Sequence, residues 1–443
     1  MNSHFSIVWG TRQITFNQLQ LYMASSFKQL KGMGVKPGDR VGICEENSVE
    51  YIVLLLTLWQ MKAVAAPISP RWPAKMVAAY VSRINAVHLF KGTDVRRIVC
   101  FDARNEITAD QACDFNLDDD VSVIATSGSS GEPKAAVHTW GNHFYSAKGS
   151  NEIIPLTPQD RWALSLGFYH VAGIGVLVRC LLSGAAVVVV GEGDLAAAMA
   201  RSKVTHVSLV PTQLYRLLAD EKNHALLKSL KCILLGGSAI PNSLVEQALS
   251  LGLNIYLSYG STEMASQIAT GKPLGVGKPS VKVLPYRELM IAPDGEILVR
   301  GKTLFKGYIV GEKLQLPLTG QGWFKTGDMG RLDGQDCLTV GGRRDNMFIS
   351  GGENIQPEEI EKALLSIAGV LEAMVVPKED KEFGHRPVAF IKFNASSLNA
   401  EKIVQCLKAD LPHFKIPTAF YPWPQDLISG GIKISRQDML KRI

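Results

Sequence analysis

The sequence predicts an α/β protein of two domains. The larger, N-terminal one is built of layered, mostly parallel sheets with helices plus a small β-region, and the smaller C-terminal one is a mobile α+β unit. Three observations carry that prediction. The chain has 443 residues, too many for one ordinary hydrophobic core. Short, continuously apolar runs alternate with helical stretches, as strands covered on both faces do. After "GGRRDN" (341–346) the pattern changes style. We place the boundary at Asp345, giving domains of residues 1–344 and 345–443.

In chain order, "FSIVWGTRQITF" (5–16) reads as a hairpin of two β-rich runs around Gly10. Over 17–31, Leu19, Tyr22, Met23, Phe27 and Leu30 recur at helical spacing. "GVKPGDRVGI" (34–43) turns at Pro37-Gly38 into a strand. The most apolar run, "YIVLLLTLW" (51–59), is about half the length needed to cross a bilayer. Flanked by Glu50 and Lys62, it reads as a buried helix. "VSVIAT" (121–126), "AAVVVV" (185–190), "HVSLV" (206–210), "CILLGG" (232–237) and "NIYLSYG" (254–260) are the expected sheet strands. Residues 287–340, with "EILVRG" and "CLTVGG" between Gly-rich turns, form the small β-region. Beyond it come a strand (347–350), a Gly-Gly turn and a helix opened by Pro357, with Glu358 and Glu359 in its first turn. A strand over 372–376 follows, and the chain closes with a Pro-rich linker, "YPWPQ", and a basic tail.

Apolar residues make up 46% and charged residues 20%, an ordinary globular balance. The net charge of +6 comes from 47 basic and 41 acidic residues, without a dense Lys/Arg run. A nucleic-acid partner and stable membrane insertion are therefore not expected, and small anionic ligands fit the mild excess. Seven cysteines, at 44, 100, 113, 180, 232, 337 and 406, include no C-x-x-C pair. That pattern favours reduced thiols in the cytoplasm over a zinc site or a disulfide framework. "MNSHFSIVWG" has no basic stretch followed by an apolar one, so no signal peptide is expected, and the chain begins almost directly with the hairpin.

"ATSGSSGEPKAAVHT" (125–139) almost spells a P-loop, with Lys134 where that motif has its lysine. Pro133 removes a backbone donor, however, and Ala135 cannot ligate a metal. What remains is a strand-to-turn loop with the hydroxyls of Thr126, Ser127, Ser129 and Ser130, the glycines Gly128 and Gly131, and Lys134. Such a loop can close over a polyphosphate; alone, it also reads as a solvated Ser/Gly turn.

It is followed in order by "YGSTE" (259–263), "KTGD" (325–328), "GRRDNMFISGGENIQPEEIE" (342–361) and "GGIKISR" (430–436). Together the five motifs resemble the acyl-adenylate-forming superfamily of acyl- and aryl-CoA synthetases, luciferases and peptide-synthetase adenylation domains. "SLVPTQLYRLL", "LLGGSAIP", "DKEFGHRPVAF" and "GGIKISRQ" are similar to the o-succinylbenzoate–CoA ligases of menaquinone biosynthesis. The resemblance implies an AMP-forming acid–thiol ligase using ATP, Mg2+ and CoA, with an aromatic or acyl carboxylic acid as substrate.

By the same resemblance, Lys433 contacts the attacking carboxylate and the α-phosphate, where an ammonium between two anions offsets their repulsion. Glu263 resembles the family's Mg2+ ligand, a hard oxygen donor. Thr262 contacts phosphate, Tyr259 stacks on adenine within Tyr259-Gly260-Ser261, and Gly236-Gly237-Ser238 lie on the base's other face. Asp328 holds the ribose diol and Arg343 the ribose or phosphate. Asp345 resembles the hinge about which the small domain rotates between half-reactions. Ser350, Gly351 and Gly352 line the CoA path. His170 lies beside the substrate carboxylate, and Thr212 and Gln213 are pocket walls. His138, His206 and His385 carry no role beyond packing or surface. Ser130 stands where the family usually has Thr, and Ala135 where it often has glycine. Other readings stay open: a ligase for a different acid, a kinase or ATPase releasing ADP, or a nucleotide-binding protein without catalysis. The partner of the substrate's second carboxylate and the oligomeric state, including a homo-oligomer, also stay open.

Overall fold

The computed structural model describes residues 2–99, 115–126, 133–191, 193–238, 240–273, 275, 281–333, 336–351, 353–393, 400–424 and 435–443. The opening hairpin forms as Ser6–Trp9 and Arg12–Thr15. The helix after it, Phe16–Gly32, starts on a capping box in which the Thr15 side chain accepts Gln18 N–H and the Gln18 side chain accepts Thr15 N–H. The apolar run becomes the helix Val49–Gln60, capped by Ser48 and buried along nearly its whole length.

Two large sheets dominate. One contains seven described strands, in which Val64–Ile68 runs parallel to both Arg40–Cys44 and Asp120–Thr126. The other contains thirteen, and its parallel centre is formed by Arg161–Leu164, His206–Leu209, Cys232–Leu235 and Ile255–Ser261. Side chains alternate between faces with the period of a strand. Leu234 and Val187 join the core that also holds Val41 and Ile124 of the seven-stranded sheet. Ile233, Leu235 and Val188 face the opposite way, onto the helices Leu195–Arg201, Pro211–Leu218 and Asn242–Ser250. The outer face of the seven-stranded sheet is covered by Val77, Tyr80 and Ile84 of the Ala74–Arg83 helix and its end. The result is five layers: helix, sheet, central helices, sheet, helices.

The strands of the small β-region pair into these sheets. Glu296–Gly301 and Cys337–Arg343 extend the thirteen-stranded sheet antiparallel, and Gly307–Val310 pairs with Lys134–Thr139 in the other. Their turns are Gly-rich because each hairpin needs a reversal, but their apolar faces complete an existing core.

Beyond Asn346 the hydrophobic clusters contain only residues of the C-terminal segment. There the long hairpin Val370–Asp380/Gly384–Phe393 packs against the helices Pro357–Leu365 and Ala400–Asp410. The stretch expected as a Pro-rich linker is corrected here: Phe420–Pro422 forms a parallel edge strand beside Gly384–Phe393. Proline is tolerated there because an edge position requires no further ladder donor. Among the described residues no helix is long and apolar enough to cross a membrane.

Candidate active site

The strand Ile255–Ser261 and its antiparallel neighbour Ser266–Gly271 slip register between Tyr259 and Gly260. At that bulge a side chain on residue 260 is impossible: an added Cβ would lie 1.9 Å from the Ser266 carbonyl oxygen. The turn joining the strands holds Thr262 and Glu263 in a short 3-10 helix, then places Ala265 at φ 50° and Ser266 at φ 103°. Two consecutive non-glycine residues in that region mark stored strain, which neighbouring structure must sustain.

The strands Phe324–Leu332 and Cys337–Arg343 lie on the same sheet and pair Asp328 directly with Arg343. Arg343 donates to Asp328 Oδ1 at 3.1 Å and to the Thr326 carbonyl at 2.8 Å. Tyr259 donates its hydroxyl to the other carboxylate oxygen, Oδ2, at 2.7 Å. Burial raises the Asp328 pKa, against hydrogen bonds from Tyr259 and Arg343 that lower it. The Tyr259 hydroxyl is pushed well up, by burial and then by the Asp328 charge. For Arg343, burial is the largest influence and pulls the pKa down, but the Asp328 charge and hydrogen bond, with the Asp345 and Glu263 charges, together outweigh it, so the guanidinium is held more firmly protonated. Asp345 lies 3.5 Å from the same guanidinium.

Glu263 accepts the Tyr308 hydroxyl at 2.6 Å, and the Lys134 ammonium sits 5.1 Å above the centre of the Tyr308 ring. Lys134 pairs across from Thr126, so the two close the loop of residues 127–133 at its base. Next to Lys134, the Pro133 carbonyl accepts from Arg83 at 2.6 Å. The Glu263 charge reaches Asp328 and Tyr308 alike. Tyr259, Gly260, Ser261, Thr262, Glu263, Asp328, Arg343, Asp345 and Lys134 thus form one cluster at adjoining strand ends. Gly236-Gly237-Ser238 follow the neighbouring strand Cys232–Leu235, with Gly237 at φ 87°.

His170 is exposed at the start of the helix Val171–Ser183. With Pro67, Ser69, Trp72, Ala125 and Tyr169 it lines a small hollow near the end of the Asp120–Thr126 strand. Asn47 fixes the loop before it, donating to the Leu166 carbonyl at 2.8 Å and accepting from Phe168 N–H at 3.1 Å. Thr212 and Gln213 lie in the first turn of Pro211–Leu218: Thr212 is exposed and Gln213 accepts the Val210 N–H at 3.0 Å, a local cap. Ser350 is buried in the Phe348–Ser350/Glu353–Ile355 hairpin, whose turn places Gly351 at φ 59° under the Phe383 ring. Ser127, Gly128, Ser129, Ser130, Gly131, Gly352 and Lys433 lie outside the described residues.

Three residues escaped the sequence reading. Tyr308 sits in "FKGYIV", a run that reads only as a strand. Glu296, 3% exposed, accepts Gly327 N–H at 3.1 Å and Arg344 at 2.9 Å, bracing the turn before Asp328. Arg179, 1% exposed, donates to Gln267 Oε1 at 2.6 Å, and its Nε has no partner among the described residues. Burial lowers its pKa to about 10. An arginine on a wholly apolar helix, "VAGIGVLVRCLLS", was the available signal for that last one.

A sequence model of the AMP-binding enzyme matches residues 2–309, and one of the AMP-binding enzyme C-terminal domain matches 359–427. The chain is 39% identical over 415 residues to the 2-succinylbenzoate–CoA ligase of Salmonella typhimurium, covering 91% of this chain and 87% of that protein. It matches the o-succinylbenzoate CoA synthetase of Bacillus subtilis in complex with the acyl-adenylate intermediate OSB-AMP at TM-score 0.86 and 28% identity, over 98% of this chain and 94% of that one. The same synthetase in complex with ATP and magnesium ion matches at TM-score 0.82 and 29% identity, over 94% and 92% of the two chains. With a bulged strand, a partly buried Tyr–Asp–Arg cluster and a half-buried glutamate all on that shared fold, the chain belongs to the AMP-binding enzyme family.

Proposed function

We infer that this chain is an ATP- and Mg2+-dependent acid–thiol ligase that joins 2-succinylbenzoate to CoA through an acyl-adenylate. A carboxylate oxygen of the acid attacks the α-phosphorus of ATP and pyrophosphate leaves. The thiol of CoA then attacks the acyl carbonyl and AMP leaves, its proton lost to solvent. Both steps gather negative charge, so positioning and fixed electrostatics are the protein's main contribution.

The observation that supports this reading best is the cluster around Asp328. Its two oxygens are aligned by Tyr259 and Arg343 at 2.7 Å and 3.1 Å, as a carboxylate that must accept two hydroxyls of a ribose requires. The Tyr259 ring and the Gly236–Gly237 backbone leave a flat space for a base. Glu263, Thr262 and Lys134 then take the phosphate side, and the hydroxyl motif 126–131 is assigned to the same phosphates. One carboxylate, oriented by Tyr308, fits an ion held otherwise by phosphates and water, so Glu263 and the Thr262 hydroxyl are the residues to hold Mg2+. When bound, that ion neutralises phosphate charge. Lys433 supplies the cation between carboxylate and α-phosphate.

The acid enters beside His170. A dicarboxylate places a second charge deep in the protein, and Arg179, a buried cation near the buried Arg287, is assigned to it. It lies one helical stretch from His170 and bonds Gln267, the residue paired with Gly260. Residues 345–443 act as a second domain turning about Asp345, with Ser350 to Gly352 along the CoA path. We place the enzyme in the cytoplasm.

Incubation with ATP, CoA and 2-succinylbenzoate, followed by mass analysis, should yield AMP, pyrophosphate and the thioester. Release of ADP would defeat the ligase reading. Preference for a benzoate without the second carboxylate, in direct competition, would defeat the assignment of the acid and of Arg179.

A further inference from the structure

The sequence offers His138 nothing beyond packing, yet its ring is fully buried with Nε2 2.7 Å from the Thr262 carbonyl. We propose that His138 is a positioning residue that fixes the Thr262–Glu263 turn, and through it the grip on the phosphates and Mg2+ of ATP. This rests on the reading of Thr262 and Glu263 given above.

A carbonyl only accepts, so Nε2 must carry the proton. The same turn is held from three different directions. Besides His138, the Thr262 carbonyl accepts Ala265 N–H at 3.1 Å. The Glu263 carbonyl accepts Phe305 N–H at 2.7 Å, and the Ala265 carbonyl accepts the Ser146 hydroxyl at 2.6 Å. These are the supports that a strained pair at Ala265 and Ser266 needs in order to persist. The strand carrying His138 also carries Val137, whose carbonyl takes Lys306 N–H at 2.9 Å. It thereby anchors the loop that brings Tyr308 to the Glu263 carboxylate. Backbone orientation and carboxylate orientation at Glu263 therefore both trace to one strand, Lys134–Thr139. The ring packs 5.1 Å from His143 and 6.4 Å from Phe305, so its removal also disturbs packing.

Paired variants separate the two effects. In His138→Gln the amide nitrogen can reach the position of Nε2, in His138→Asn it stops short, and His138→Leu keeps bulk without a donor. Apo melting temperature, calorimetric affinity for ATP with Mg2+, and the Mg2+ concentration giving half-maximal ATP–pyrophosphate exchange are measured for each. Asn and Leu should weaken nucleotide binding and raise the Mg2+ requirement about two- to tenfold, the range for one lost hydrogen bond. Gln should recover a clear part of that loss, and kcat at saturation should fall less than affinity does. Should Leu fail to fold, the Gln–Asn comparison stands by itself. Equal affinity in Gln and Asn, or a loss that follows melting temperature alone, would overturn the proposal. Glu263→Gln is assayed alongside. If it shifts the Mg2+ requirement and the His138 variants do not, only the role of His138 fails. If it shifts nothing, the metal reading of Glu263 fails and takes this inference with it.

Discussion

Asp328 is ionisable, mostly buried and bonded on both oxygens, yet its pKa is raised, by burial before anything else. An acid with a raised folded pKa binds its proton more readily folded than unfolded. Its stabilising contribution is then full below the unfolded carboxylate range, about pH 3.9, and is lost as pH rises through the folded value. At neutral pH the charge is a net cost to the apo protein, sustained by Tyr259 and Arg343. Asp328→Asn should accordingly raise the melting temperature at pH 7, with the gap to wild type closing as pH falls toward about 4. If Asp328 holds the ribose as proposed, the same change should raise KM for ATP about ten- to a hundredfold through loss of charge-assisted bonds. Thermal melts from acid to neutral pH with steady-state kinetics test both; a lower melting temperature at pH 7 would contradict the stated balance. Arg179 is likewise a charge that burial penalises, and it donates to the neutral Gln267 side chain.

The bulged hairpin Ile255–Ser261/Ser266–Gly271 makes its own prediction, because two of the site's glycines are needed for different reasons. Gly260 is forced by contact: a Cβ would meet Ser266 backbone oxygen at 1.9 Å, and backbone cannot step aside. Gly237 is favoured by its φ of 87°, with no atom nearer than 3.4 Å to a Cβ. Gly260→Ala should therefore cost at least the ~1–3 kcal/mol of overpacking and abolish nucleotide binding. Gly237→Ala should cost only the ~1–2 kcal/mol of a left-handed alanine. Denaturant melts that rank them the other way would disprove the account. The contrast also explains what the sequence could reveal. Periodicity placed the helices over 17–31 and 51–59 and the apolar strands within a residue or two, because burial on both faces dictates composition directly. The motifs likewise pointed to Asp328, Glu263 and Tyr259, which the structure brings into one cluster. Tyr308, Glu296 and Arg179 stayed hidden because their roles arise from pairing between distant strands, which no local pattern records. The edge strand at Phe420–Pro422 was misread for the converse reason: its prolines signal a linker locally, and only the sheet edge beside them permits a strand.

At the scale of the whole molecule, the residues flanking Asp345 are tied to opposite sides. Arg344 is clamped to Asp294 and Glu296 of the large sheet at 2.7 Å and 2.9 Å. Gln356, beyond the turn, donates to the Arg343 carbonyl at 2.8 Å and to Glu358, which also accepts from Asn346 and Arg436. Ser243 on the large body reaches the Leu365 carbonyl at 3.3 Å. If residues 345–443 turn about Asp345, the Arg344 clamp stays while the Gln356 bond must break, so Gln356 favours the arrangement described here over its alternative. A contact present in one of two arrangements shifts their ratio by its own worth, about two- to tenfold for a single hydrogen bond. Gln356→Leu should then move the two half-reactions in opposite directions by that factor. ATP–pyrophosphate exchange reports the first, and thioester formation from supplied acyl-adenylate the second. A variant that merely loosens the fold slows both together, and that result would remove Gln356 from the rotation.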